Sequence, residues 1–422
     1  MRQDQAVALL GAAVLFIGLA SCTATERTPA GRAKVAASAA EVPVIPDEPP
    51  VGQEPPSPEA SGEVQERGVA PKVMKPGLTS PQILVPMQVV PIMPGAPAGL
   101  VALPGEFAMR TQKGYYLTAI NGGGRTADPI VITSATSAGS WEKFRVAVTN
   151  PSSPHDKVFQ TASGNYLTAV NGGGMTANVL HTDAIQANDW ERYRLLDQRV
   201  GNYAIQTIKG YYVTAVGAGG RYQDAIHTDA KQIQAWEQFR VVKCGDLGSG
   251  YEYGIMAADG EFLYAGNGGG QTKQAISLRS LSPPLYAEPK WASFKFLRQA
   301  DGSYALQASN GMSFLTALGG GGQAATIPNY TCHFWAPCIG PEPTDIFHTD
   351  ATQVRAWEKF RFIDQGNCTY TIQTASNFYV GIYSVVRELG ARNVLTTNRS
   401  TISGNEKFQL VVYDLASPVV LQ

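Results

Sequence analysis

The sequence predicts an all-β protein built from six copies of one four-stranded unit, closing in two groups of three. Three observations carry this. One pattern recurs along the 422 residues: an aromatic-Leu-Thr-Ala run, a glycine-rich turn, then a closing Trp-Glu-x-Phe segment. Short runs rich in Val, Ile, Tyr, Phe and Thr alternate with Gly, Asn and Asp turns, the texture of a sandwich or barrel. A break, Lys243-Cys244-Gly245-Asp246-Leu247-Gly248-Ser249-Gly250, separates the third copy from the fourth.

The second copy is the clearest. It runs from Gly164-Asn165-Tyr166-Leu167-Thr168-Ala169 through Asn171-Gly172-Gly173-Gly174 and His181-Thr182-Asp183 to Trp190-Glu191-Arg192-Tyr193. The first closes on Trp141-Glu142-Lys143-Phe144, the third on Trp236-Glu237-Gln238-Phe239 and the fifth on Trp357-Glu358-Lys359-Phe360. The fourth is looser, with Trp291-Ala292-Ser293-Phe294. The sixth keeps Tyr379-Val380 and Glu406-Lys407-Phe408 but neither the glycine run nor the tryptophan. Four strands in about 45 residues describe either a propeller blade or one lobe of a β-trefoil. Six blades make one ring; six lobes make two trefoils. The break after copy three, and the greater divergence and insertions of the last three copies, favour two tandem β-trefoils, expected at 105–246 and 247–415.

Two segments precede them. Residues 1–22 read as an export signal: Arg2 precedes an apolar run from Ala6 to Ala20, too short for a comfortable membrane span. Its end, Leu19-Ala20-Ser21-Cys22, resembles the bacterial lipoprotein box, which implies lipidation at Cys22. Thr23 at the next position, by resemblance to Gram-negative lipoproteins, points to the outer membrane if the host has one. A cleaved signal peptide or a single membrane anchor is the plainer alternative. Residues 23–104 hold 16 of the 27 prolines and no sustained hydrophobic period, so a disordered linker is expected. The apolar patch Ile83 to Val90 within it is either a packing segment or a short edge strand.

The aromatic-Leu-Thr-Ala strand, glycine turn and Trp-Glu-x-Phe strand together resemble the fascin-like β-trefoil family (the actin-crosslinking-like superfamily), over residues 105 to about 413. The resemblance implies the fold more than the function. Known members include actin-bundling proteins, whose basic contact surfaces have no residue-by-residue match here. Bacterial members occur as extracellular modules, some attached to carbohydrate-active enzymes, and trefoils broadly are often glycan binders.

Composition narrows the classes. The net charge of -1 argues against a nucleic-acid partner, which needs a basic face. The glycine runs lack the Lys and Ser/Thr of a phosphate loop. His181, His227 and His348 occupy equivalent positions in three copies, so pseudosymmetry separates them, whereas a metal needs converging ligands. The aspartates that follow them are expected to cap the next turn. No catalytic constellation stands out, so a non-enzyme with no metal or cofactor is expected. Leu117, Leu167, Val213, Leu263, Leu315 and Val380 read as core. The aromatics preceding them point to the opposite strand face and pack between hairpins. The repeat tryptophans read as structural.

What breaks the repeat is the insertion 323–344 in copy five, which carries Tyr330, Cys332, His333, Phe334, Trp335 and Cys338. In an exported protein Cys332 and Cys338 read as a disulfide staple, with zinc as the weaker alternative. A stapled loop presenting Tyr330, His333, Phe334 and Trp335 is a candidate recognition tip, or else a cover for the barrel end. Cys244 and Cys368 then remain to pair and to tie the two trefoils together. The expected function is non-catalytic binding of a glycan or surface polymer by a lipid-anchored envelope protein. The alternatives are a scaffold or adhesin for a protein partner or filament, and an accessory module for a hydrolase.

Overall fold

The computed structural model describes residues 100–149, 155–281, 288–324, 331–333, 336–339, 345–387 and 390–415. Cys22 and the segments 1–22 and 23–99 lie outside them. All regular structure among the described residues is antiparallel strand and single 3-10 turns.

Twelve strands form two closed rings. In the first, Glu106–Arg110 pairs with Lys143–Val148, which pairs with Asp156–Gln160. Tyr193–Asp197, Asn202–Thr207 and Gln238–Cys244 continue the ladder, and the last returns to Glu106–Arg110 with Cys244 opposite Glu106. In the second, Glu252–Ala257, Ser293–Arg298, Tyr304–Ala308, Lys359–Asp364, Tyr370–Gln373 and Lys407–Val412 close the same way, Tyr253 opposite Val412. Each ring carries three hairpins, whose first strands are the aromatic-Leu-Thr-Ala runs: Tyr116–Ala119, Tyr166–Ala169 and Tyr212–Ala215, then Phe262–Ala265, Phe314–Ala317 and Tyr379–Arg387. Six ring strands and three hairpins in three equivalent lobes define a β-trefoil.

The strand period decides which side chains fill the rings. Leu117, Leu167, Val213, Leu263, Leu315 and Val380 all lie in the main apolar core with Phe144, Tyr193, Phe239, Phe294, Phe360 and Phe408. The preceding aromatics leave on the other face, and Tyr116, Tyr166 and Phe262 bury themselves in three separate small clusters. The core reading holds for all six copies and the packing of the preceding aromatics for three, since Tyr212, Phe314 and Tyr379 are only half-buried.

Glycine turns join each lobe to the next. Gly124 N–H donates to Thr182 O (2.6 Å), Gly174 N–H to Thr228 O (2.7 Å) and Gly220 N–H to Thr133 O (2.8 Å), which closes the triangle. At Gly219, φ is +99° and a Cβ would collide with Thr111 Oγ1, so only glycine fits. This gives the His-Thr-Asp triplets their meaning: Thr182, Thr228 and Thr349 are fully buried locks between lobes, while the flanking His and Asp look outward. Among the described residues the second ring has two such locks, Gly270 N–H to Thr349 O and Gly322 N–H to Thr397 O. Copy six lacks the glycine run that would make the third. Its long hairpin, Tyr379–Arg387 with Gly390–Arg399, instead sends the Asn393 amide to Asp259 and Glu261 of copy four.

The folded part begins earlier than the expected boundary at 105. Val101–Ala102 pairs with the Ala147–Val148 end of a ring strand, and Leu103 and Pro104 are buried. The fastener is Lys243, itself fully buried, whose ammonium donates to Pro104 O (2.5 Å), Cys244 O (3.1 Å) and Glu106 O (3.3 Å).

The rings form a continuous body. Val242 pairs with Val411, Tyr203 donates its hydroxyl to Val412 O (3.2 Å), and Lys143 Nζ donates to Gly366 O (2.6 Å). A disulfide joins Cys244 to Cys368 across the junction, with both residues fully buried. This is the expected pairing of those two cysteines.

Candidate functional site: the tryptophan platforms

Each repeat tryptophan sits in a turn at the mouth of a ring strand, a 3-10 turn in every case but Trp357. Ser140–Glu142 packs on the glycine turn Ile120–Gly122, Asp189–Glu191 on Val170–Gly172, and Ala235–Glu237 on Val216–Ala218. A Cβ at Gly122 would touch Trp141 Cδ1, and one at Gly320 would touch Cδ1 and Nε1 of Trp357, so the pyrrole edge of the indole abuts the glycine. The remainder faces outward: Trp141, Trp190, Trp236 and Trp357 are 43–48 % exposed. These side chains are therefore not core, although their position is structurally fixed. Trp291 of copy four differs, packing on Tyr264 at 5.7 Å between ring centroids and on a satellite cluster with Phe262 and Leu281.

The glutamate after the tryptophan holds each turn. Glu191 Oε2 accepts Asn188 N–H (2.7 Å) and its Oε1 accepts the Thr168 hydroxyl (2.7 Å). Glu237 does the same with Gln234 N–H and Thr214, and Glu358 with Arg355 N–H and Thr316. These carboxylates are buried. They, rather than the aspartates of the His-Thr-Asp triplets, cap the turn, as in the acidic half of a capping box. Asp183, Asp229 and Asp350 point to solvent instead, two of them at 3.8–4.0 Å from the neighbouring histidine. Where the threonine is absent, its partner changes too. Copy four has Tyr264 and Ala292; copy six has Gly381, and Arg399 pairs with Glu406 at 3.5 Å.

The histidines do not converge. His181 Nε2 meets Asn178 Oδ1 at 2.8 Å and His227 Nε2 meets Asp224 Oδ1 at 2.6 Å, each within its own lobe. The His227 hydrogen bond holds the Asp224 carboxyl below its ordinary range. Beside Trp141 lies a cleft of about 220 Å³, lined by Glu106, Lys143, Arg145, Gln160 and Ala162, with Gly366 reaching in from the second ring. It offers hydrogen-bonding groups of both signs and is lined by Ser140, the chain neighbour of the exposed Trp141.

For the insertion, the structure describes a small hairpin of Thr331–His333 with Ala336–Ile339. Cys332, His333 and Cys338 are on these strands, but their side chains lie outside the described residues, as do Tyr330, Phe334 and Trp335 entirely. The platforms were missed as candidates because recurrence alone does not separate a packed indole from a half-packed one. The signal was the glycine run itself, which leaves one side of the ring without a partner side chain.

No family model matches the chain, and no curated protein does. Among solved structures it is similar to ThreeFoil, a designed 3-fold symmetric protein, at 18% identity over 34% of this chain and 99% of that one, TM-score 0.29. It is also similar to the BEL β-trefoil (11% identity, 40% and 97% covered, TM-score 0.26) and to the agglutinin from Abrus precatorius (11% identity, 74% and 97% covered, TM-score 0.26). At these scores the likenesses add nothing at the level of residues; the closed ladders themselves define the trefoil class.

Proposed function

We propose that the chain is a non-catalytic glycan-binding protein of the bacterial cell envelope, lipid-anchored at Cys22 and held out on the linker that precedes Val101. The observation that supports this is the set of four half-exposed indoles at equivalent positions, two of which, Trp141 and Trp357, abut a glycine of the neighbouring turn. An aromatic face presented on a rigid scaffold stacks on the apolar face of a sugar ring with little ordering cost. The cleft beside Trp141 supplies the polar partners a sugar's hydroxyls need.

The test is a polysaccharide and glycan array probed with the mature chain. Alongside it go Trp141→Ala, the double variant Trp190→Ala/Trp236→Ala, and Trp335→Ala. Platform binding predicts a loss of at least tenfold in the first two with unchanged melting, because truncating a tryptophan that anchors an interface costs about 2 kcal/mol or more. Loss only in Trp335→Ala moves the site to the 323–344 insertion. Absence of binding to every sugar overturns the glycan reading and leaves a protein partner.

A further inference from the structure

One lobe junction breaks the charge pattern of the other two. The arginine that ends each Trp-Glu-x-aromatic-Arg segment has a fixed setting in the first ring. Arg145 faces Gln160 across the ladder on one side and pairs with Glu106 (4.0 Å) on the other. Arg194 faces Gln206 and pairs with Asp156 (3.5 Å). Arg240 is the third member. Its ladder partner is Arg110, where the others have glutamine, and its other neighbour is Asn202, where the others have an acid. Two guanidinium groups thus stand directly opposite each other, an arrangement that repels. Neither forms an ion pair with a carboxylate among the described residues.

The two arginines line a cleft of about 200 Å³ between the rings, together with Lys113, Asn202 and the turn Ala258-Asp259-Gly260 of the second ring. Asp259 does not neutralise them: its carboxylate is taken by Glu261 N–H (3.0 Å) and the Asn393 amide. The aromatic rings of Tyr116 and Phe262 back the two guanidiniums at 5.9 and 5.5 Å, which holds the pair in place without discharging it. Burial and the nearby Arg110 push the Arg240 pKa down, as uncompensated like charges do.

We propose that this inter-ring cleft is a binding site for an oxyanion, a carboxylate or sulfate group, held by Arg110, Arg240 and Lys113. Arginine presents a planar fork matched to such groups. The site stands independently of the platforms, so it holds or fails whether or not neutral sugars bind.

The test is calorimetric titration of the mature chain with sodium sulfate, sodium galacturonate and galactose at matched ionic strength, since sulfate also stabilises proteins by exclusion from their surface. The informative variants restore the pattern of the other lobes: Asn202→Asp supplies the missing acid and Arg110→Gln the missing glutamine. Arg194→Gln removes one charge elsewhere, outside both clefts, as a control. Expected is saturable binding of sulfate or galacturonate by wild type and Arg194→Gln, weakened at least about tenfold in each restoring variant, because a charged hydrogen bond is worth roughly 1.5–3 kcal/mol. Preference for galacturonate over sulfate makes a sugar acid the source of the anion; equal binding makes it a free ion site. Absence of saturable binding in wild type overturns the proposal, as does affinity unchanged in Asn202→Asp and Arg110→Gln.

Discussion

Thr214 donates its hydroxyl to Glu237 Oε1 at 2.8 Å, while the other oxygen of the same carboxylate accepts Gln234 N–H at 2.8 Å. One buried acid therefore fastens a hairpin strand to the turn that carries Trp236. Replacing it with alanine strands a buried hydroxyl and a backbone N–H. Glu237→Ala is expected to cost about 2–4 kcal/mol in urea unfolding, and Glu237→Gln clearly less, since an amide oxygen still accepts one bond. Equal costs for the two would show that the pairing contributes little.

Two glycines of the first ring and its exit separate close packing from backbone strain. Gly245 has φ +68° and open space where a Cβ would stand; Gly219 has φ +99° and Thr111 in the way. Gly245→Ala is expected to cost about 1–2 kcal/mol, the left-handed penalty alone. Gly219→Ala adds overpacking of a further 1–3 kcal/mol or so. Matched melting shifts would contradict the lobe lock described above.

Stability is expected to fall between about pH 4 and 7. Burial first, and the charge of Glu252 second, push the Asp414 carboxyl up to about 7. Raised above its unfolded value, the group binds a proton more tightly in the folded chain, so its contribution is complete below about pH 4 and is lost as pH rises through 7. The slope from this one group is at most about 1.4 kcal/mol per pH unit. Chemical unfolding of wild type and Asp414→Asn from pH 4.5 to 7 should give a steeper decline in wild type; parallel curves would remove Asp414 as the cause.

The Cys244–Cys368 disulfide has no exposed surface in the fold. Mild reductant is expected to leave it intact in the native state and to break it only on unfolding. The Cys244→Ala/Cys368→Ala double variant should lose about 3–5 kcal/mol on the chain-entropy account. Thiol labelling of the native chain after brief reduction decides the first point and denaturant unfolding the second.

Much of this architecture was legible because period and recurrence encode it. Leu167 and Tyr166 alternate faces as a strand must, and the break at 243–250 falls between the two rings. The start of the fold was not legible, because Val101-Ala102-Leu103-Pro104 looks like linker until the buried Lys243 supplies its partner. Nor was the outward face of the tryptophans: a repeated residue is pinned by symmetry whether it is covered or half-covered. The meeting of Arg110 with Arg240 depends on ring closure between distant strands, which a local pattern does not contain. The aspartates misled because Asp is a good cap in general, while here the Glu three residues past the turn's start reaches the same N–H groups first.

Each ring is sealed by its own first and last strands, Glu106–Arg110 with Gln238–Cys244 and Glu252–Ala257 with Lys407–Val412. That closure has a kinetic consequence. Until the last strand arrives, both its future neighbours stand with unpaired backbone, so neither barrel is complete before nearly its whole length has left the ribosome. Pairing across such sequence distance puts refolding in the millisecond-to-second range typical of non-local β topologies. The three hairpins of each ring are its local contacts and the sealing pairs its distant ones, so the hairpins are expected to precede the sealed barrel.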